Sequence, residues 1–285
     1  RLIAIGLLAA CAGIARADEG MWTFDNFPSG KVKEKYGFGP DGEWLDHLRL
    51  SSVRLGGGCS GSLVSGSGLV MTNHHCARSC IEQVSTPGND RLSEGFFARA
   101  IADEIPCPEM EIGQLLEIAD VTARVNAATK GLSEGPYNEA LNAEMSRIEK
   151  ECATSEAFRC DVVPLYHGGL YHRYKYRRFH DVRLVFAPEI AIAHFGGDPD
   201  NFMFPRYSLD VSFLRIYDDG APAKTGHYLR WSPSGAKEGD LTFVSGHPGR
   251  TSRLFTVAEL EFERDVAIPR RLLRLSEMRG MYAQF

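Results

Sequence analysis

The sequence predicts a mainly β protein with helical insertions, and three observations carry that expectation. From Val53 to Thr72, short apolar stretches alternate with Gly and Ser, the pattern of strands joined by tight turns. Strand patterns dominate again from Val162 to Val244, including the runs 182–186 and 211–217. Between these regions Tyr137, Leu141, Met145 and Ile148 recur at helical spacing ahead of Cys152.

The remaining elements follow in order. Asp90 to Ile105 reads as a helix with Phe96, Phe97 and Ile101 on one side. Tyr166 to His180 mixes Tyr, His and basic residues and reads as a structural strand pair. After about Leu254 the pattern turns helical, and Pro269 starts or breaks a helix there. No internal repeat or low-complexity linker interrupts the chain. The last stretch, Arg270 to Phe285, stops in mid-pattern without a cap or turn signal, so the chain is expected to be truncated at both ends.

Composition narrows the class. The 285 residues are 44% hydrophobic and 24% charged, which suits a globular protein with a sizeable core. A formal net charge of −5 leaves no basic excess, which argues against a nucleic-acid partner. No apolar run approaches the roughly 18 residues of a membrane span.

The first residues read as an export signal, 1–17. The apolar run 2–10 is followed by Ala15-Arg16-Ala17, a small-x-small cleavage site. The run ending at Cys11 also resembles a lipobox, which leaves lipidation as the alternative. Removal of Cys11 leaves Cys59, Cys76, Cys80, Cys107, Cys152 and Cys160. An even count in an exported chain favours disulfides, but their pairing is not given by number. Cys152 and Cys160 are candidates for a local pair.

The most informative stretch runs from Cys59 to Cys76 and ends in Thr72-Asn73-His74-His75-Cys76. It resembles the histidine region of chymotrypsin-like peptidases, with a Cys-x-Gly-Ser-Leu strand, a turn, an apolar strand and Thr-x-x-His-Cys. A serine hydroxyl is a weak nucleophile until a base takes its proton, and imidazole suits that task near neutral pH. By resemblance the base is His75, with His74 structural. The resemblance also implies a Cys59–Cys76 disulfide, with Cα atoms about 4.4–6.8 Å apart. Read without it, His74, His75, Cys76 and Cys80 could bind zinc. No second His pair or Cys-x-x-Cys at zinc spacing accompanies them, so no metal is expected. The orienting carboxylate is assigned to Asp210, which opens an apolar strand as the triad Asp does in chymotrypsin-like enzymes. A turn-forming Asp is the alternative there.

Three more segments join this block: 18–22, the run 196–206 with its Asp-Pro-Asp-Asn-Phe core, and 246–251. Together they resemble the family-46 serine peptidases of the dipeptidyl-peptidase 7 and 11 type, from about Asp18 onward. The resemblance implies a chymotrypsin-like double β-barrel, its first part here, followed by the start of an inserted α-helical domain. Residues 18–253 would be the N-terminal part of the peptidase domain and 254–285 the start of the helical cap. It implies release of dipeptides from the free N-termini of oligopeptides, homodimers, no cofactor, and a periplasmic or surface location in a Gram-negative bacterium. The nucleophilic Ser is expected beyond residue 285. Asn201 and Phe202 are implied to hold the substrate's N-terminal region, with Phe where relatives often carry Trp; a plain loop anchor is the alternative. Competing functions are a chymotrypsin-like endopeptidase, an inactive peptide-binding protein on the same scaffold, and a metal hydrolase.

Overall fold

The computed structural model describes residues 20–197, 203, 205–248 and 255–284. Residues 1–17, Asn201 and Phe202 therefore lie outside the described residues. The chain divides into two compact units after His247.

The first unit is a mixed α/β structure on one large antiparallel sheet. Its strands are β1 (Ser52–Leu55), β2 (Ser60–Leu63), β3 (Leu69–Thr72), β4 (Phe96–Phe97), β5 (Ile105–Pro106) and β6 (Ile112–Asp120). They continue with β7 (Phe158–Leu165), β8 (Leu170–Phe179), β9 (Asp181–Ala187), β10 (Ser212–Asp218) and β11 (Ala221–Pro222). The order is β4-β9-β10-β3-β2-β1-β6-β8-β7, with β11 on β10 and β5 on β9. Among the described residues no pairing closes this path. The helices are α1 (Ser29–Tyr36), α2 (Gly42–Ser51), α3 (His74–Gln83), α4 (Arg91–Glu94), α5 (Thr122–Thr129), α6 (Glu134–Cys152) and α7 (Ile190–Ala193).

Alternation sets the core. Val53, Leu55, Leu63, Val70, Leu184, Leu214 and Ile216 point to one side of the central strands and pack with Ala77 and Ile81 of α3. The turn from β2 to β3 needs Gly68, whose φ is +71° and whose Cβ would meet the Ile216 carbonyl at 2.7 Å. A second cluster, Val125, Ile148, Val162 and Tyr171, lies where α5 and α6 cover β7 and β8. Tyr166 to His180 is one strand rather than a strand pair: it supplies the turn and β8, and its partner β7 lies before Tyr166, paired from Phe158↔Arg177 to Leu165↔Leu170.

Two other expectations are corrected. The helix from Asp90 stops at Glu94, because Gly95 turns with φ +73° against the Ala187 carbonyl. Phe96 and Phe97 then pair with Ala187 and Phe186 as β4, so their apolar side serves a sheet edge. Strand structure also ends at Pro222 and does not reach Val244. The chain from Ala223 to Leu229 makes only scattered backbone bonds, to Ile216, Gly66 and Leu63. Gly226, Pro233, Gly235 and Gly239 interrupt any ladder there.

The second unit is helical. Its first helix, Val257–Phe262, starts on a Thr256–Glu259 capping box. A π turn, Glu263–Ala267, leads without a break into Ile268–Tyr282, with Pro269 directly after that turn.

Leu214 is fully buried at the centre of β10. In the full-length protein, Leu214→Ala is expected to lower stability by about 2–5 kcal/mol, read by equilibrium urea unfolding. A loss below ~1 kcal/mol would contradict the packing described for this strand.

Candidate active site

The site is built where β3 runs into α3. β10 pairs with β3 through Ser212↔Thr72, Phe213↔Met71 and Leu214↔Val70. Extending this antiparallel register by two residues carries Asp210 to the first turn of α3. Cys59, just before β2, is bonded to Cys76 of α3, with Cα atoms 6.0 Å apart. Cys80, one turn further along α3, is bonded to Cys107 after β5. The helix carrying His75 is thus tied to the sheet near both ends. The remaining pair is Cys152–Cys160.

His75 and Asp210 meet directly. His75 Nδ1 lies 2.8 Å from Asp210 Oδ2, and the His75 backbone N–H donates to Asp210 Oδ1 at 3.1 Å. The imidazole is 66% exposed while the carboxylate is only 8% exposed. Burial pushes the Asp210 carboxyl up, but the His75 backbone N–H, the His75 ring and Arg206 outweigh it and leave it below its ordinary value. Asp210 is therefore ionised at neutral pH. A neutral His75 facing that anion carries its proton on Nδ1, which leaves the Nε2 lone pair on the open side of the ring.

Other groups complete the setting, and the sequence reading had not singled out two of them. The Asn73 side-chain amide donates to the Asp210 carbonyl at 3.1 Å and to Oδ2 at 3.2 Å. Arg206 Nη2 donates to the same Oδ2 at 3.2 Å. Asn73 was visible only as an unspecified position of Thr-x-x-His-Cys, and Arg206 only as the end of the run 196–206. A cavity of about 230 Å³ opens beside the pair, lined in part by Ser60, Ser62, Thr72, Asn73 and Asp210.

His74 is placed differently from its neighbour. It is buried, and burial holds its imidazole below the ordinary value, with the Asp210 carboxylate opposing that lowering. It faces the core, so the two adjacent histidines have separate surroundings. Cys59, His75 and Cys76 lie close enough for a shared ion. Both sulfurs are joined to each other, however, which leaves one free donor, and Cys80 is likewise paired.

An imidazole held in one tautomer by a buried carboxylate is the arrangement by which serine peptidases activate a hydroxyl. The chain belongs to the Peptidase S46 family, whose family model matches residues 17–285. It is 35% identical to dipeptidyl-peptidase 7 of Porphyromonas endodontalis, over 90% of this chain and 34% of that protein. It is 36% identical to the Asp/Glu-specific dipeptidyl-peptidase of Shewanella putrefaciens, over 94% of this chain and 39% of that protein. The crystal structure of Porphyromonas endodontalis DPP11 in complex with the dipeptide Arg-Glu is similar, with TM-score 0.67 and 28% identity. That match covers 79% of this chain and 35% of the solved one. The chain thus spans little more than a third of the length of these relatives.

The lowered carboxyl of Asp210 has a consequence for stability. A group whose folded pKa is depressed contributes fully above its unfolded value, about 3.9, and loses that contribution as pH falls through the folded value. In the full-length protein, Asp210→Ala should therefore destabilise at pH 6, and its deficit should shrink steadily below about pH 4. Denaturant titrations of both proteins across that range measure it. A deficit that stays constant would mean the carboxylate is not held by these donors.

Proposed function

We propose that this chain supplies the base and orienter of a serine dipeptidyl-peptidase that releases dipeptides from the free N-termini of oligopeptides. One observation carries this reading: the 2.8 Å contact between His75 Nδ1 and buried Asp210, in a chain of the Peptidase S46 family. His75 Nε2 takes the proton of a serine hydroxyl as its oxygen attacks the peptide carbonyl. The tetrahedral intermediate collapses, the same proton passes to the leaving amine, and water then releases the dipeptide from the acyl-enzyme. Asp210 keeps the ring oriented and stabilises the imidazolium. The nucleophile and the oxyanion donors come from a later segment, in keeping with the share of the relatives that this chain spans.

Asn201 and Phe202 hold the substrate's N-terminal region in this proposal, Asn201 by binding the free amine and Phe202 by apolar contact. Residues 18–253 begin a chymotrypsin-like double β-barrel, and 254–285 begin a helical cap that restricts access to chain ends. The enzyme works as a homodimer outside the cytoplasm, exported by residues 1–17. The three disulfides among the described residues support an oxidising compartment. Relatives named for Asp/Glu specificity and relatives named dipeptidyl-peptidase 7 match to similar extents. The choice between acidic and hydrophobic residues at the cleavage site is therefore assigned to the later segment.

The full-length protein should release chromophore from dipeptidyl reporters with a free amine and spare N-terminally blocked ones. His75→Ala and Asp210→Asn should each lower kcat by about 10⁴-fold or more. Asn201→Ala should raise KM for free-amine reporters. Rapid cutting of blocked peptides would make the protein an endopeptidase, and unchanged turnover in His75→Ala would remove the mechanism.

A further inference from the structure

We infer that Asn73 is a positioning residue for the His75–Asp210 pair, its side-chain amide clamping both the main chain and the carboxylate of Asp210. The inference rests on the peptidase reading and adds a residue to it. Local sequence suggests something plainer. Asn73 immediately precedes α3, and Asn at that position ordinarily caps the helix by accepting a first-turn N–H. Here its side chain makes no capping bond.

The two roles have been exchanged across the β3–β10 pairing. Asp210 Oδ1 accepts the N–H of His75, the second residue of α3, and so performs the capping that Asn73 would perform locally. Asn73 turns instead to Asp210, reaching its carbonyl at 3.1 Å and Oδ2 at 3.2 Å. Both targets are acceptors, so the amide must present its NH₂ and its orientation is set by chemistry. One nitrogen thereby ties the main chain of Asp210 to the oxygen that faces the imidazole. Oδ2 accepts from Asn73, His75 and Arg206, and Oδ1 from the His75 backbone, so the carboxylate has no freedom to rotate away. Arg206 reaches only the side chain, and from a residue four positions before Asp210 on the same connection. Asn73 is the neutral side-chain donor to the carboxylate, placed at the start of the base's own helix beside the His75 backbone N–H.

A carboxylate in place of the amide separates the two roles. Asp caps helices about as well as Asn, so a local cap would survive Asn73→Asp. A clamp would not, because Asp cannot donate and adds a negative charge beside Asp210. Among the described residues, the charged and titratable groups that act on the pair are Arg206 and His74, and Arg78 on α3 acts on His74. An added anion favours the imidazolium of His75, so the basic form would be lost at higher pH.

The test uses the full-length enzyme and a free-amine dipeptidyl reporter. Asn73→Asp should stay folded at assay temperature, lower kcat at pH 7 about tenfold or more, leave KM within about twofold, and move the acid limb of the pH–kcat profile up by about half a unit or more. Asn73→Ala should lower kcat about tenfold alone but less than about twofold when Asp210 is already Asn, because the clamp acts through that carboxylate. This pair of variants carries the test if Asn73→Asp does not fold. Wild-type kcat with an unmoved acid limb in Asn73→Asp, or losses that multiply fully in the double variant, would overturn the role of Asn73. If wild type and His75→Ala were equally active, the parent reading would fail instead, and the two failures are told apart by that control.

Discussion

The structure depends on the pairing of β3 with β10. His75 and Asp210 are separated by 135 residues, and the ladder that ends at Ser212↔Thr72 is what places one beside the other. Closing so long a loop costs entropy that grows only slowly with its length, so the intervening chain can be elaborate. It forms β4 to β9 and the pair α5–α6. The helices pack with β7 and β8 on their own cluster of Val125, Ile148, Val162 and Tyr171. That separate core lets α5 and α6 be added without entering the packing beneath His75, to which β9 contributes Val182 and Leu184.

β10 is held from its other side as well. Glu104, almost wholly buried, accepts hydrogen bonds from Arg215 at 2.8 Å and from the Tyr217 hydroxyl at 2.8 Å. Burial and this carboxylate push the Tyr217 hydroxyl up to about 12. A buried ion pair of this kind is a poor source of net stability, since desolvation offsets most of the attraction. Its effect here is register: Arg215 and Tyr217 each reach one acceptor only when β10 sits as it does. Exposed pairs such as Arg78–Glu82 contribute little by comparison.

The disulfides act on the same element from the helix side. Cys59–Cys76 and Cys80–Cys107 close loops of modest length and both end on α3. In the chain-entropy account such links stabilise mainly by restricting the unfolded chain. Their placement also keeps the first turn of α3 against the sheet. That turn carries His75, and its second N–H is satisfied by the carboxylate that faces the imidazole. Fold and site therefore share a single set of contacts: the helix is capped by the residue that makes its histidine useful.

Several features were determined by the sequence alone because their signals are local. The Cys59–Cys76 block marks the β2–β3 turn and His75, the proposed base, since Gly68, the apolar alternation and Thr-x-x-His-Cys are contiguous. The spacing of Tyr137, Leu141, Met145 and Ile148 marks α6, and an apolar strand following an Asp marks β10. Local signals also misled: Phe96, Phe97 and Ile101 have helical spacing, yet Gly95 and the free edge of β9 make Phe96–Phe97 a strand. Only the tertiary structure decided the Cys80–Cys107 pairing, the burial of His74 against the exposure of His75, and the turning of Asn73 from its own helix to Asp210. Each of these depends on which distant segment lies opposite. Adjacent residues in a helix face different directions, and a donor chooses among acceptors that only the folded chain brings within about 3 Å.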